Sequence, residues 1–348
     1  MTGPPRIAVA GAGLVGRRHI EEVDRSPSAR LAAVVDPASS AQEVADTYGV
    51  PRYPSLARLF EVEKPDGMVL ATPNRLHVAG GLECVAAGVP VLVEKPIGDT
   101  VEGARRLVAA AEAAGVPLLT GHHRNYSPIM SRAREIVRSG VLGSIVAVVG
   151  TALFYKPDDY FDVGDGWRRR PGGGPILLNL IHEVNNLQSL VGDVVRVQAT
   201  TSSATRGFEV EDTAAMIFTF AQGALGTFLL SDTAASPRSW EQTSMENPTY
   251  ASYPDEDCYH LAGTRGSLSV PTMRLTVYEG KRSWWEPFET STVAVQRSDP
   301  LANQIEHFAA VLRGEVEPIC SGRNGLASLL VLDAVVESAR TGWPVVPA

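Results

Sequence analysis

The segment Gly11-Ala12-Gly13-Leu14-Val15-Gly16 stands between a short apolar run, Arg6–Ala10, and a stretch of helical periodicity. Glycines at this spacing permit a tight turn, the close approach of a backbone to a pyrophosphate, and close helix-to-strand packing. The helix N-terminus adds free N–H groups and the positive end of the helix dipole. Such a segment binds the phosphates of a dinucleotide, with Gly11, Gly13, Leu14, Val15 and Gly16 as contacts. Asp36 closes the next apolar run, 20 residues beyond Gly16. Its carboxylate is placed to accept hydrogen bonds from ribose hydroxyls and would repel a 2′-phosphate, which favours NAD over NADP. Ala71-Thr72-Pro73-Asn74 with His77, and Glu94-Lys95-Pro96, follow later apolar runs. Carboxyl ends of parallel strands line the ligand crevice of an open α/β sheet, so position makes both groups candidates. Taken singly, Lys95 also reads as a surface cation and His77 as a histidine at a helix end.

The elements that must carry these residues alternate short apolar runs with helical spacing, the habit of a doubly wound parallel sheet. Strands are expected at Arg6–Ala10, Leu31–Val35, Gly67–Ala71, Val89–Val93 and Pro117–Thr120, and helices at Leu14–Asp24, Ala41–Tyr48, Leu76–Ala87 and Val101–Ala114. Gly49, Gly88 and Gly115 stop the last three helices. After Gly121 the rhythm changes. A helix over Ile129–Ser139 leads into β-rich runs at Ser144–Tyr155, Val194–Thr205, Thr213–Phe220 and Ala224–Ser231, and the short link Gln222–Gly223 favours a hairpin. This half reads as an α/β domain with a large, mainly antiparallel open sheet. Ala234–Asp257 reads as a long loop, and Ala302–Leu312 and Asn324–Thr341 as helices.

A chain of 348 residues exceeds the ~250–300 at which single cores stop growing, so two domains are expected. The motif order puts cofactor binding in residues 1–123 and most substrate recognition in 124–348, with the last helices packing back on the first domain. Hydrophobic residues at 44% and charged residues at 20% suit a globular chain and exclude wholesale disorder. A net charge of -8 argues against a nucleic-acid partner. Cys84, Cys258 and Cys320 are widely spaced and read as reduced thiols rather than a disulfide framework or zinc site. His77, His122, His123 and His182 lack a carboxylate at ligand spacing, so no metal is expected. Neither a signal peptide nor a run of ~18 apolar residues is present, and the expectation is a cytoplasmic protein without a membrane span.

Taken in order, Gly11–Gly16 with His19, Ala71-Thr72-Pro73-Asn74 with His77, Glu94-Lys95-Pro96, Gly121 with Arg124, and Gly172-Gly173-Gly174 followed by His182 resemble a known succession. It is that of the glucose–fructose oxidoreductase, inositol dehydrogenase and rhizopine-catabolism family (Gfo/Idh/MocA), and it runs to about Asp193. The resemblance implies an N-terminal Rossmann domain holding NAD and a C-terminal α/β domain whose open sheet supports homodimers or homotetramers. It implies hydride transfer between the nicotinamide and a secondary hydroxyl or keto carbon of a sugar, cyclitol or related polyol. Lys95 matches the lysine that hydrogen-bonds the reacting oxygen, and His182 the histidine that accepts its proton. Thr72, Pro73, Asn74, His77, Glu94 and Lys95 fall among the expected cofactor contacts. Chemistry agrees, since an ammonium stabilises developing alkoxide charge and an imidazole takes a proton near neutrality.

Tyr155, Trp167 and Arg168, in a loop rich in aromatics and charge, suit contacts to a carbohydrate ring, and His123 and Arg124 follow the last strand of the first domain. Together with Lys95, Asn179 and His182 they form the substrate set. One departure stands out: many relatives carry an aspartate four residues before the histidine, where this chain has Leu178, and Asn185 replaces a frequent aspartate after it. Lys95, Asn179, Asn185 or Glu183 would then orient His182. The Leu178 departure motivates one alternative, a glycoside-cleaving enzyme that oxidises its substrate transiently with bound NAD; a non-catalytic NAD sensor is a further alternative that nothing in Lys95, His77 and His182 favours.

Overall fold

The computed structural model describes residues 3–164 and 166–348. They form two compact units, one running to Tyr126 and including Asp299–Leu329, the other made of Ser127–Ser298 and Leu330–Ala348.

In the first unit, β1 (Arg6–Ala10), β2 (Arg30–Val35), β3 (Arg52–Tyr53), β4 (Gly67–Leu70), β5 (Val91–Glu94) and β6 (Leu118–Gly121) form one parallel sheet in the order β3-β2-β1-β4-β5-β6. The helices α1 (Leu14–Arg25), α2 (Ala41–Thr47), α3 (Leu56–Val62), α4 (His77–Ala86) and α5 (Val101–Ala114) connect them. The strands are apolar without alternation because both faces are covered. Ala8, Ala10, Met68, Leu70, Val91 and Val93 enter one core, while Ile7, Val9, Val69, Leu92 and Leu119 enter the other.

Five strands were expected in this sheet and six are present. The extra strand, Arg52–Tyr53, has two residues and no periodicity; it is defined by pairing, with Val34 N–H on Pro51 O at 3.0 Å and Asp36 N–H on Tyr53 O at 2.9 Å. α3 likewise went unread. The fourth expected strand moves forward to Val91–Glu94, which makes Glu94 the last paired residue, opposite Gly121. The helix expected from Leu76 begins as a tight turn over Asn74–Leu76 and becomes α-helical at His77.

The second unit holds α6 (Pro128–Arg138), β7 (Ile145–Leu153), α7 (Ile181–Val191), β8 (Val194–Ser202), β9 (Thr213–Phe220), β10 (Leu225–Ser231), α8 (Trp240–Thr243), β11 (Tyr259–Gly263), β12 (Gly266–Val270), β13 (Arg274–Val277) and β14 (Glu289–Thr292). Its eight strands run β14-β13-β12-β11-β7-β10-β9-β8, all antiparallel except β7 with β10. Inward residues such as Val148, Met216, Phe218, Phe228 and Leu261 pack on α6 and α7 residues Ile129, Ala133, Val184 and Leu187. β11–β14 were not anticipated, because they are short and interrupted by turns. The expected loop at 234–257 contains α8, and its buried Trp240 stacks on Tyr259 at 6.0 Å between ring centroids, so the segment is packed rather than loose.

Two late helices follow. α9 (Pro300–Leu312) is capped by Asp299, whose carboxylate accepts the Leu301 N–H at 2.8 Å, and places Ile305, Phe308 and Ala309 in the core of the first unit. α10 (Gly322–Thr341) belongs to the first unit as far as Leu329 and to the second from Leu330. Among the described residues no helix is long and apolar enough to cross a membrane.

Candidate active site

The turn from β1 to α1 is shaped by what its glycines lack. A Cβ on Gly11, whose φ is +94°, would lie 2.4 Å from Ala71 O, and one on Gly16 would lie 1.8 Å from Gly11 O. Neither position tolerates a side chain without moving the turn. At Gly13 nothing lies within 4 Å of a Cβ position, so the backbone there faces open space. Gly13 is the N-cap of α1 without a side-chain cap, and Leu14 beside it is 86% exposed. The first-turn amides of α1 thus point outward uncapped, which suits a pyrophosphate. Asp36 closes the cradle: one carboxylate oxygen accepts the Ala12 N–H at 2.8 Å and the other the Ala38 N–H at 2.8 Å. The residues fit a dinucleotide.

Thr72, Pro73 and Asn74 follow β4, next to β1 in the sheet. His77 is 1% exposed, with Nδ1 2.7 Å from Pro96 O and Nε2 2.8 Å from Thr72 O. Its ring lies between the two backbone carbonyls, one of which accepts the ring N–H, so His77 ties the loop after β4 to the loop after β5. Glu94, also expected among the cofactor contacts, turns inward. It is 7% exposed, bonded to His19 Nε2 through Oε1 at 2.8 Å, and accepts the Lys95 N–H through Oε2 at 3.0 Å. Burial raises its pKa, but the His19 hydrogen bond together with the charges of His19, Lys95 and His123 outweighs it and holds the pKa at about 2. Lys95 is half-buried at the end of β5. His122 lies just beyond β6 and is 1% exposed; burial first, and the Lys95 charge second, push its pKa down to about 3. His123 and the buried Arg124 form the turn that follows.

In the second unit, a π-turn over Ile176–Leu180 runs into α7 and carries Leu178 and Asn179, with the buried His182 one residue into the helix. π-turns re-aim side chains within a helix and recur at functional sites. The glycine run explains its start: a Cβ on Gly174 would lie 2.7 Å from Glu211 Oε1, which accepts the Ile176 N–H at 2.8 Å. Burial raises the Glu211 pKa. Behind His182, Asn186 donates to Tyr259 Oη at 3.0 Å, and that hydroxyl donates to Glu183. This network engages Glu183 within the protein; Asn185 is buried on the same helix.

Lys156 is the residue that sequence reasoning missed. Its Nζ donates to Asn179 Oδ1 at 2.7 Å, lies 3.7 Å from the Asp232 carboxylate and sits 4.8 Å from the Tyr160 ring centroid. The available signal was a lysine between Tyr155 and Pro157, since an ammonium among aromatics is placed for more than solvation. Arg206 also pairs with Asp232 and donates to the carbonyls of Lys156 and Asp232. Arg168 stacks on Tyr160 at 4.3 Å and donates to its carbonyl at 3.1 Å; Trp167 and Tyr155 are partly exposed near these groups, at 5.0 Å from Arg168 and 5.1 Å from Arg206 respectively.

An oxidoreductase family with an NAD-binding Rossmann fold matches residues 5–122, and the GFO/IDH/MocA C-terminal domain matches residues 130–269. The chain belongs to the Gfo/Idh/MocA family. It is therefore an oxidoreductase with an NAD site. Among Gfo/Idh/MocA proteins it is 27% identical to inositol 2-dehydrogenase of Rubrobacter xylanophilus, over 97% of this chain and 92% of that one. It is 27% identical to D-apiose dehydrogenase of Paraburkholderia graminis, over 96% and 88% of the two chains. Its fold matches the WlbA dehydrogenase of Bordetella pertussis, solved with NADH and UDP-GlcNAcA, with a TM-score of 0.79 at 25% identity, covering 99% of this chain and 98% of that one.

Proposed function

We propose that this oxidoreductase interconverts a secondary hydroxyl and a ketone on a sugar, cyclitol or related polyol, with NAD preferred to NADP. The observation that carries the reading is Lys95 at the carboxyl end of β5, in the same sheet as the open cradle at Gly13. Relatives named for inositol and D-apiose support the substrate class. Bound NAD supplies the acceptor for the hydride that leaves the carbinol carbon. Asp36 presents a carboxylate at the cradle, which selects against a 2′-phosphate. Lys95 donates a hydrogen bond to the reacting oxygen and lowers the cost of its developing negative charge. His182 takes the hydroxyl proton and passes it to solvent, and its ring is steadied by the packed α7. Tyr155, Trp167, Arg168 and Asn179 offer aromatic faces and donors to the ring and its hydroxyls, and His123 and Arg124 add polar groups just beyond Gly121, which pairs with Glu94 beside Lys95. Assembly as a homo-oligomer belongs to the same reading: Val149, Ile217, Leu225 and Leu229 project, half-exposed, from the outer face of β7, β9 and β10, an apolar surface that a second copy would cover.

The test is a spectrophotometric screen of sugars, cyclitols and their keto forms with both cofactors, monitored at the NADH absorbance. NADH formation with a polyol, lost in Lys95→Ala with the fold retained, is the expected result. A wild-type rate in Lys95→Ala removes Lys95 from the mechanism, and release of a free sugar from a glycoside without net NADH replaces the reading with transient oxidation.

A further inference from the structure

Lys95 is held from both sides by buried histidines that belong to different helices. On its N-terminal side, His19 of α1 is 0% exposed and binds the Glu94 carboxylate, whose second oxygen accepts the Lys95 N–H. The carboxyl group lies over β6, where a Cβ on Gly121 would come within 2.8 Å of it, so a glycine there leaves the space the carboxyl fills. On the C-terminal side, the His77 ring of α4 lies between two carbonyls, with Nδ1 2.7 Å from Pro96 O and Nε2 2.8 Å from Thr72 O, one of which accepts its ring N–H. The lysine peptide is thereby fixed to α1, β6 and α4 at once, and the same His77 ring fixes the loop after β4. A flexible four-carbon side chain can be aimed only if its backbone is immobile, and a displacement of about 1 Å costs on the order of 100-fold in rate.

We infer that His19 and His77 are positioning residues for Lys95: His19 acts through Glu94 and His77 through Pro96, and neither touches substrate. This rests on the reading of Lys95 as the group that holds the reacting oxygen. It assigns to His19 a task separate from the phosphate cradle, although both lie on α1.

The test labels the lysines, Lys64, Lys95, Lys156 and Lys281, by reductive 13C-methylation of the NADH-loaded protein. The Lys95 resonance is assigned by its loss in Lys95→Arg. In His19→Ala and in His77→Ala the Lys95 resonance should shift or broaden while those of Lys64 and Lys281 stay in place. His19→Gln, which keeps an N–H donor for Glu94, should return it toward the wild-type position; if the alanine variant does not fold, the glutamine variant compared with Glu94→Gln carries the test. With myo-inositol as probe, or with the polyol found in the screen, His19→Ala should lower kcat about 10- to 100-fold and leave NADH affinity, read by fluorescence, within about threefold. A Lys95 resonance unmoved in both histidine variants overturns the inference, as does a loss of NADH affinity that matches the loss of kcat in His19→Ala. Full activity in Lys95→Ala would instead overturn the catalytic reading of Lys95, and the resonance comparison would still decide whether the two histidines hold it.

Discussion

His122 gives the protein a calculable acid sensitivity. Burial and the neighbouring Lys95 charge keep it neutral in the fold down to about pH 3, whereas in the unfolded chain it protonates near its ordinary 6.5. Between these values the unfolded state binds more protons, so stability is complete above about pH 6.5 and is lost as pH falls toward 3, by up to ~1.4 kcal/mol per pH unit. From pH 7 to pH 5 the loss from this one group is about 2 kcal/mol. The measurement is urea unfolding of wild type and His122→Asn at the two pH values, followed by far-UV circular dichroism. Other shifted groups, such as Glu22, Glu211 and Asp232, whose pKa values burial raises, are common to both proteins and cancel in the difference. Tryptophan fluorescence is an internal control. Trp167, Trp240, Trp284, Trp285 and Trp343 all lie in the second unit, while His122 lies in the first. Parallel pH responses in wild type and variant would refute the assignment of a neutral, desolvated His122.

Other substitutions separate roles that look alike in the sequence. Gly13→Ala should cost no more than ~1 kcal/mol in thermal unfolding, since its Cβ meets nothing within 4 Å, yet weaken NADH binding by fluorescence titration; unchanged binding would remove the cradle from Gly13. Gly16→Ala should destabilise by about 1–3 kcal/mol, because its Cβ would lie 1.8 Å from Gly11 O, and a neutral melt would contradict the turn geometry. Arg206→Met leaves the buried Asp232 short of a partner and should cost roughly 3–5 kcal/mol, whereas Arg169→Met, at an exposed pair with Asp162, should cost less than ~1 kcal/mol; tryptophan-detected urea curves distinguish the two. Ile217→Glu should move the sedimentation coefficient to that of a smaller species, and a monomeric wild type would end the assembly proposal.

Residue patterns revealed the first sheet wherever a strand is buried on both faces, as at Ile7–Ala10 and Val91–Val93, because continuous apolar runs follow from two covered faces. They failed at Arg52–Tyr53, whose strand character comes from hydrogen bonds with the Val34 and Asp36 N–H groups and leaves no periodic trace. β11–β14 were lost for a related reason: strands of four or five residues give too few positions for alternation to stand out. Within the site, spacing located Gly11–Gly16, Glu94-Lys95-Pro96 and His77, but spacing does not carry side-chain direction. Glu94 ends β5 and His77 opens α4, and both face inward, toward His19 and two carbonyls. Lys156 escaped because its partners, Asn179 and Asp232, are distant in sequence and meet it only through the π-turn and the end of β10.

β7 pairs with β11 on one edge and β10 on the other, and that second pairing brings Ala147 beside Leu225. The ladders on either side of it, β8 to β10 and β11 to β14, are built from near neighbours in the chain. Closing the long segment between β7 and β10 costs loop entropy that the local ladders avoid. Loop entropy therefore predicts a late joining of two local ladders across one strand, with β7 set in place last, and amide exchange in the native protein should then divide along that strand.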